Sequence, residues 1–388
     1  MKMSSVVSIE KCADYHYPRV YQAVKNAVDA LGGMNKFVKP GQQVLLKPNF
    51  LTGLPPERAA NTHPAVVKAV IELAQEAGGR VSIGDSPALS SALTVARKSG
   101  NLKVAREMGV PVIDFKDPVE APVPEGKIFR KIEVAREAAE ADVLINLPKL
   151  KTHDLLPLTL AVKNIFGCVV GRNKARWHVQ AGHDVSYFAR MLVELYALVN
   201  PALNIMDGIV GMEGNGPRNG DPRQIGLILA SPDAVALDRV VQEILGLEEG
   251  MPTTSVGGEI GLGETELGMI ECRGVRLEEI KIDGFKIPIR TPQKQILGKT
   301  LRWLLKDSFT YRPVIDHRLC SRCGICLEAC PLNIISYKPS ARKGKEKFVQ
   351  IDYQRCIHCF CCQENCTEGA ISGRQGWLAS MLSRLGIS

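Results

Sequence analysis

Two cysteine runs carry the most specific chemistry in this sequence. Cys320, Cys323, Cys326 and Cys330 follow the spacing C-x2-C-x2-C-x3-C, and Cys356, Cys359, Cys362 and Cys366 repeat it 36 residues later. A cubane iron–sulfur cluster needs one thiolate on each iron, and three close cysteines wrap three corners of one cube. The fourth cysteine of each run sits too far along the following helix to close the same cube. Zinc ribbons use paired C-x2-C units, not four-cysteine runs, so the spacing favours [4Fe–4S] clusters. Nine of the 12 cysteines lie between Cys320 and Cys366. Met1 to Glu10 holds no continuous apolar stretch, so this density points to metal thiolates in a cytoplasmic chain, not to disulfides.

The repeat extends beyond the cysteines. Ile315-Asp316 matches Ile351-Asp352, and Ile335 matches Ile371. A duplicated half-domain is expected, each half a strand, a cluster loop, a short helix and a returning strand. Over residues 313–373 the chain resembles the bacterial two-cluster ferredoxins. In that family the fourth cysteine of each run ligates the other cluster. The resemblance therefore implies two [4Fe–4S] clusters, one on Cys320, Cys323, Cys326 and Cys366 and one on Cys356, Cys359, Cys362 and Cys330. It also implies single-electron transfer and a redox partner protein. Two departures stand out: Thr367 where the first half has Pro331, and a charged connection at Ser340–Lys347 that reads as a hairpin extension. Cys361 is an additional thiol, read either as small buried packing or as a substitute ligand.

A second group of reactive side chains lies between Asn146 and His178: Asn146, Lys149, Lys151, Thr152, His153, Lys163, Asn164, Arg172, Lys174, Arg176 and His178. So many cations near one strand end would focus a positive potential suited to carboxylate or phosphate groups. Lys163 interrupts an apolar helix (Leu158, Leu160, Val162, Ile165, Phe166). It is either a functional ammonium or a stem that snorkels to the surface. Histidine titrates near neutrality, which makes His153 and His178 the proton-donor candidates. The glycine-rich segment Gly208–Gly220, with Asn215, permits close approach to a ligand but matches no nucleotide motif. Asp233 reads as a helix N-cap. Cys12, Cys168 and Cys272 lack metal spacing; Cys168 is a weak reactive-thiol candidate.

These residues need elements to position them. Short apolar runs at Val44–Leu46, Val81–Ile83, Asp142–Ile145, Leu203–Met206 and Gly226–Leu229 alternate with helical patterns at Pro64–Ala77, Ser91–Met108 and Asp233–Leu245. That alternation predicts an α/β fold: a mostly parallel sheet with helices on both faces, followed by the smaller α+β domain. Ligands of such sheets bind beyond the carboxyl ends of the strands. Lys47, Asn49, Asp85, Asn146, Lys149, Lys151 and Asp207 sit at those ends, so they join Asn164 and Asn215 as ligand-binding candidates. The expected division is 1–290 for the α/β domain, 291–312 for an amphipathic linker helix, 313–373 for the cluster domain and 374–388 for an amphipathic tail. Both amphipathic segments suit packing onto the protein or contact with a membrane surface.

Over residues 42–240 the chain resembles the family called domain of unknown function 362, often joined to a ferredoxin module. The resemblance is carried by Leu46-Lys47-Pro48-Asn49, Gly84-Asp85-Ser86-Pro87, Leu147 to His153, Lys163 to Gly167, and Asp207-Gly208 through Gly214-Asn215-Gly216-Pro217. It implies a shared site at these positions without naming a reaction.

The chain has 388 residues, a formal charge of +8 and 45% hydrophobic content, enough for two or three folded domains. No run of 18 apolar residues would cross a membrane. Aromatics make up 5%, too few for stacking platforms, and no nucleic-acid module is present. The expectation is a redox protein in which two clusters exchange electrons with an anionic small molecule held by the α/β domain. The rivals are an electron carrier whose large domain docks a partner enzyme, and a metal-handling protein using Asp85, His153, Asp207 and His178.

Overall fold

The structure is a computed structural model that describes residues 5–121, 128–129, 131–171, 173–247, 250–280, 282–288, 310–339 and 347–376. Of the linker helix expected at 291–312, residues 291–309 lie outside the described residues and Arg312 is already strand; the tail beyond residue 376, Arg172 and most of the 340–347 connection also lie outside them.

The large domain is built on a ten-stranded mixed sheet. Its strands are β1 (Ser5–Lys11), β2 (Gln43–Pro48), β3 (Arg80–Asp85), β4 (Val112–Asp114), β7 (Val143–Leu147), β8 (Lys149–Thr152), β9 (Leu158–Thr159), β10 (Leu203–Glu213), β11 (Asp221–Ser231) and β12 (Ile270–Gly274). A separate hairpin pairs β5 (Pro118–Ala121) with β6 (Ile132–Ala135). The main order is β12-β1-β11-β10-β7-β2-β3-β4, with β8 beside β10 and β9 beside β8. Pairing is parallel except where β11 meets β1 and β10 and where β8 meets β9.

The apolar runs of the sequence are strands covered on both faces, which is why they lack polar alternation. Leu45, Leu144, Met206 and Leu229 pack with the helices Val185–Val199 and Ala234–Ile244 on one face. Their neighbours Val44, Leu46, Ile145, Ile205 and Ile228 pack with Tyr17–Asp29 and Pro64–Glu76 on the other.

Three expected elements differ in detail. The single helix expected at Ser91–Met108 is two, Ala92–Lys98 and Asn101–Glu107, because Gly100 takes a left-handed conformation (φ +80°) between them. The glycine-rich segment is strand as far as Glu213, since β10 continues into a long hairpin with β11. The helix bearing Lys163 is only Ala161–Asn164 plus a tight turn over Ile165–Cys168, because Leu158–Thr159 is strand. Asp233 is the N-cap expected, accepting from the Val235 and Ala236 amides at 2.9 and 3.0 Å.

The small domain repeats itself. β13 (Arg312–Ile315), β14 (Ile335–Lys338), β15 (Phe348–Ile351) and β16 (Ile371–Arg374) form the pairs β13–β16 and β14–β15, so each half exchanges a strand with the other. The 36-residue offset holds down to backbone conformation. Arg322 and His358, Gly324 and Phe360, and Asn333 and Gly369 are matched pairs, all with positive φ.

Candidate functional site

The strands β2 and β7 lie side by side and parallel, with Lys47 opposite Asn146. From β2 the chain proceeds to β3 and β4 on one side, while from β7 it proceeds to β10 on the other. This reversal opens a crevice beyond the strand ends, the usual binding place in doubly wound sheets. A cavity of about 310 Å³ fills it. One wall is the large domain: Lys47, Asn49, Asp85, Lys151, His153 and Lys163, among others. The opposite wall is the small domain, with Cys330, Asn333, Cys361 and Glu364.

The chain positions these groups through paired polar contacts. Lys47 Nζ, buried, lies 2.9 Å from Asp85 Oδ1 and donates to the Pro48 carbonyl at 2.8 Å. Asp85 also accepts from the Phe50 and Ser86 amides. Gly167 must be glycine here: a Cβ would stand 2.1 Å from Asp85 Oδ1 and 2.5 Å from Lys47 Nζ. Lys151 Nζ donates to Asn49 Oδ1 and to the Ala60 carbonyl at 2.7 and 2.6 Å. Asn49 in turn donates to Asn164 Oδ1. Lys174 Nζ donates to the carbonyls of Ser86 and Val169.

Lys163 differs from the other cavity lysines. Among the described residues its ammonium has no hydrogen-bond or ion-pair partner. Its short helix is held by Asp238, whose carboxylate oxygens accept from the Ala161 and Val162 amides at 2.8 and 3.1 Å. Burial pushes the Asp238 carboxyl up to about 8 against those two donors. Burial lowers the pKa of Lys163, with Glu364 opposing. It lowers Lys151 further, helped by the charge of Lys163, and brings Lys174 down to about 8.

His153 is held in one tautomer. Its Nδ1 accepts from the Leu155 and Leu156 amides at 2.9 and 3.3 Å, so the ring proton of the neutral form sits on Nε2. Nε2 lies 2.6 Å from Glu364 Oε1, a close contact without hydrogen-bond geometry. Burial brings His153 down to about 4, and it does the same to His178, which is packed against Phe166 and Phe188. Burial would raise Glu364, but His153, Lys163 and His178 outweigh it and bring the carboxyl down to about 2.

Not every candidate reaches the cavity. Lys149 and Asp207 form a separate buried pair at 2.8 Å. Tyr15 Oη donates to Asp207 Oδ1 and accepts from Lys149, and the His63 amide donates to Asp207 Oδ2. Asn146 is enclosed by Ala161, Asn204 and Asn164. Asn215 sits at the domain junction, where Gln363 Nε2 donates to its Oδ1 at 2.9 Å and to the Gly216 carbonyl at 2.8 Å. Asp85, His153, Asp207 and His178 do not converge, and among the described residues no group of three or more His, Cys, Asp or Glu closes on a single metal ion. Cys168 is buried, and burial raises its thiol to about 12, away from reactivity.

None of the twelve cysteines forms a disulfide. Cys320, Cys323, Cys326 and Cys366 line one small cavity. Cys330 lies with Cys356 and Cys362, within reach of their charge. Two groups of four thiols, each mixing both runs, fit cubane clusters in donor chemistry and in grouping.

Residues 44–243, just over half the chain, match the family described as Domain of unknown function (DUF362). The chain belongs to the DUF362 family. Residues 319–370 match a 4Fe-4S dicluster domain, so this DUF362 protein carries a ferredoxin-type iron–sulfur domain. A thylakoid-associated protein of Synechocystis sp. is 43% identical over 287 residues, 74% of this chain and 88% of that protein. The pyruvate synthase subunit PorD of Methanocaldococcus jannaschii is 30% identical over 84 residues, 22% of this chain and 85% of that subunit. The lactate racemase apoprotein of Thermoanaerobacterium thermosaccharolyticum superposes with a TM-score of 0.37 at 12% identity, covering 61% of this chain and 56% of the other. A Thermotoga maritima protein gives 0.35 at 13%, covering 58% and 57%. The chain thus spans little more than half of each solved structure.

Glu364 and Asn333 are among the cavity residues that sequence reasoning missed in this DUF362 chain. Both belong to the small domain, and only the docking of the two domains brings them to the site. The repeat did contain one signal: Glu364 lies 36 residues after Glu328, which also lines the cavity.

Proposed function

We propose that this protein is a redox enzyme whose interdomain cavity binds a small anionic molecule and whose small domain holds two [4Fe–4S] clusters on the two mixed groups of cysteines. The observation that carries this reading is Lys163, an ammonium without a partner among the described residues, in a cavity walled by both domains. An unpaired charge in so enclosed a place is costly, and an anionic ligand would offset the cost. The volume of about 310 Å³ suits a metabolite of modest size.

In this reading Lys163 holds the anionic group, and Lys151 and Lys174 add donors at the rim. The Lys47–Asp85 pair shapes the floor. His153, with its proton confined to Nε2, exchanges that proton with the ligand or with Glu364. The clusters, when bound, supply one-electron transfer. A redox partner protein and a cytoplasmic setting belong to the same proposal. Among the described residues no helix is long and apolar enough to cross a membrane. The thylakoid association named for the Synechocystis relative supports contact with a membrane surface.

Calorimetric titration of the anaerobically purified protein with inorganic phosphate and with acetate tests the anion site. Binding that weakens at least tenfold in Lys163→Met, with iron content unchanged, is expected. Equal affinity in the variant removes Lys163 from the site. No heat with either anion, together with native mass spectra showing clusters and nothing else, would leave an electron carrier.

A further inference from the structure

The two groups of cysteines stand in different surroundings. The cavity wall takes Glu328, Ala329, Cys330, Pro331 and Asn333 from the first half and Cys361, Glu364 and Asn365 from the second; of the cluster cysteines it includes Cys330 and none of the other group. Cys359 also lines a second cavity of about 230 Å³, with His178, His183 and Tyr311. His178 belongs to both cavities, so this group of cysteines is set between two hollows that are each walled by both domains. The other group lines neither cavity, although the Cys366 carbonyl accepts from Asn219 of the large domain at 2.9 Å. Cys323, Ser321 and Arg322 are exposed, and Leu319 is 56% exposed.

The repeat makes the asymmetry informative. Residues 36 apart occupy equivalent places, so the cluster fold itself accepts either member of each pair. Ile325, Leu327 and Gly324 in the first half stand where Cys361, Gln363 and Phe360 stand in the second. Gln363 bonds Asn215 and Gly216 of the large domain, and Phe360 is fully buried beside Tyr311, whose hydroxyl donates to Asp154 of the large domain. The departures therefore belong to docking against the cavity and not to holding a cluster.

We propose that the cluster on Cys356, Cys359, Cys362 and Cys330 is the one that exchanges electrons with the molecule in the cavity, while the cluster on Cys320, Cys323, Cys326 and Cys366 faces a one-electron carrier protein. This ordering rests on the two-cluster and anion-site reading above. Each exchange moves one electron and breaks no bond in the protein. If the cavity molecule is oxidised, the inner cluster is reduced by the electron it loses, and the outer cluster hands an electron to the oxidised carrier. If the molecule is reduced, the reduced carrier is the donor and each transfer reverses.

A charge in the cavity acts most strongly on the cluster nearest to it. The test is an EPR-monitored redox titration of the full chain with both clusters. The two signals are assigned by Cys320→Ser and Cys356→Ser, each of which removes or converts one of them. Lys163→Met deletes a positive charge, so it should lower the potential of the inner cluster and leave the outer one in place. Glu364→Gln deletes a negative charge and should raise the inner potential. If Glu364→Gln loosens the domains, Lys163→Met still decides, because Lys163 makes no hydrogen bond or ion pair across the junction among the described residues. A shift on the outer cluster, an equal shift on both, or no shift at all overturns the ordering. Iron analysis separates the failures. Two clusters' worth of iron with the wrong shift overturns only the ordering, whereas half that iron overturns the two-cluster reading and the ordering with it.

Discussion

The two halves of the cluster domain share a spacing, a strand exchange and three matched positive-φ positions, yet they live in different environments. The first half presents Leu319, Ser321 and Cys323 to solvent. The second buries Gln363 against Asn215 and Gly216, Cys361 in the cavity wall and Phe360 beside Tyr311. What holds a cluster is common to both halves, and both line the cavity; the second adds the contacts of Gln363 with Asn215 and Gly216. The difference teaches where to look for function in a duplicated fold: at positions where the copies disagree, more than where they agree.

Several substitutions would break or sharpen this contrast. Phe360 is fully buried and sits at φ +62°, where its repeat partner is Gly324. Phe360→Ala should cost about 3–5 kcal/mol, because the lost packing outweighs any relief of backbone strain. Gly324→Ala, strained at φ +83° but exposed to less packing, should cost about 1 kcal/mol. Chemical denaturation of the cluster-loaded protein measures both, and equal costs would erase the contrast.

Gln363→Leu makes the second half resemble the first at Leu327. It removes the donor to Asn215 and Gly216 and should weaken docking by about 1–3 kcal/mol, read as faster proteolysis between the domains. The reciprocal Leu327→Gln should leave the cleavage rate close to that of the parent.

Counted per histidine and per pH unit, the smallest effect concerns pH. His63, His153 and His178 are each brought down to about 4 by burial. Between the ordinary value of 6.5 and 4, the unfolded chain binds protons that the folded chain refuses. Stability should therefore fall as the pH drops through that window, by about 1 kcal/mol per pH unit for each histidine. Denaturation curves of His178→Phe across the same range should show a shallower slope. An unchanged slope would mean that His178 is not held neutral by the cavity wall.

The sequence was most legible where chemistry is local. Thiolate spacing is dictated by the cubane, so the cysteine runs and their repeat could be read directly. The parallel sheet was legible because strands covered on both faces read as continuous apolar runs. The candidate site was legible in part. Lys47, Asn49, Asp85, Lys151, His153, Lys163, Asn164 and His178 do line one cavity. Lys149 and Asp207 look the same in the sequence, a lysine and an aspartate at strand ends. They close on each other and on Tyr15 instead, because β8 pairs with β10 and carries Lys149 level with Asp207. Strand pairing, not residue type, separated the two lysine–aspartate pairs. Glu364 was out of reach for a related reason. Its partner His153 lies more than 200 residues earlier, and nothing local in either segment names the other.

The cavity with a wall from each domain also limits how this protein can vary. The two family matches, over residues 44–243 and 319–370, are separate along the chain, but a recombination event between them would not exchange interchangeable modules. A ferredoxin domain from another source would restore the thiolates and leave Lys163 facing a foreign surface, without Glu364 beside His153. Substitutions on the two sides of the boundary are therefore expected to be inherited together, so that the history of the small domain is tied to the large one at the few residues that close the cavity.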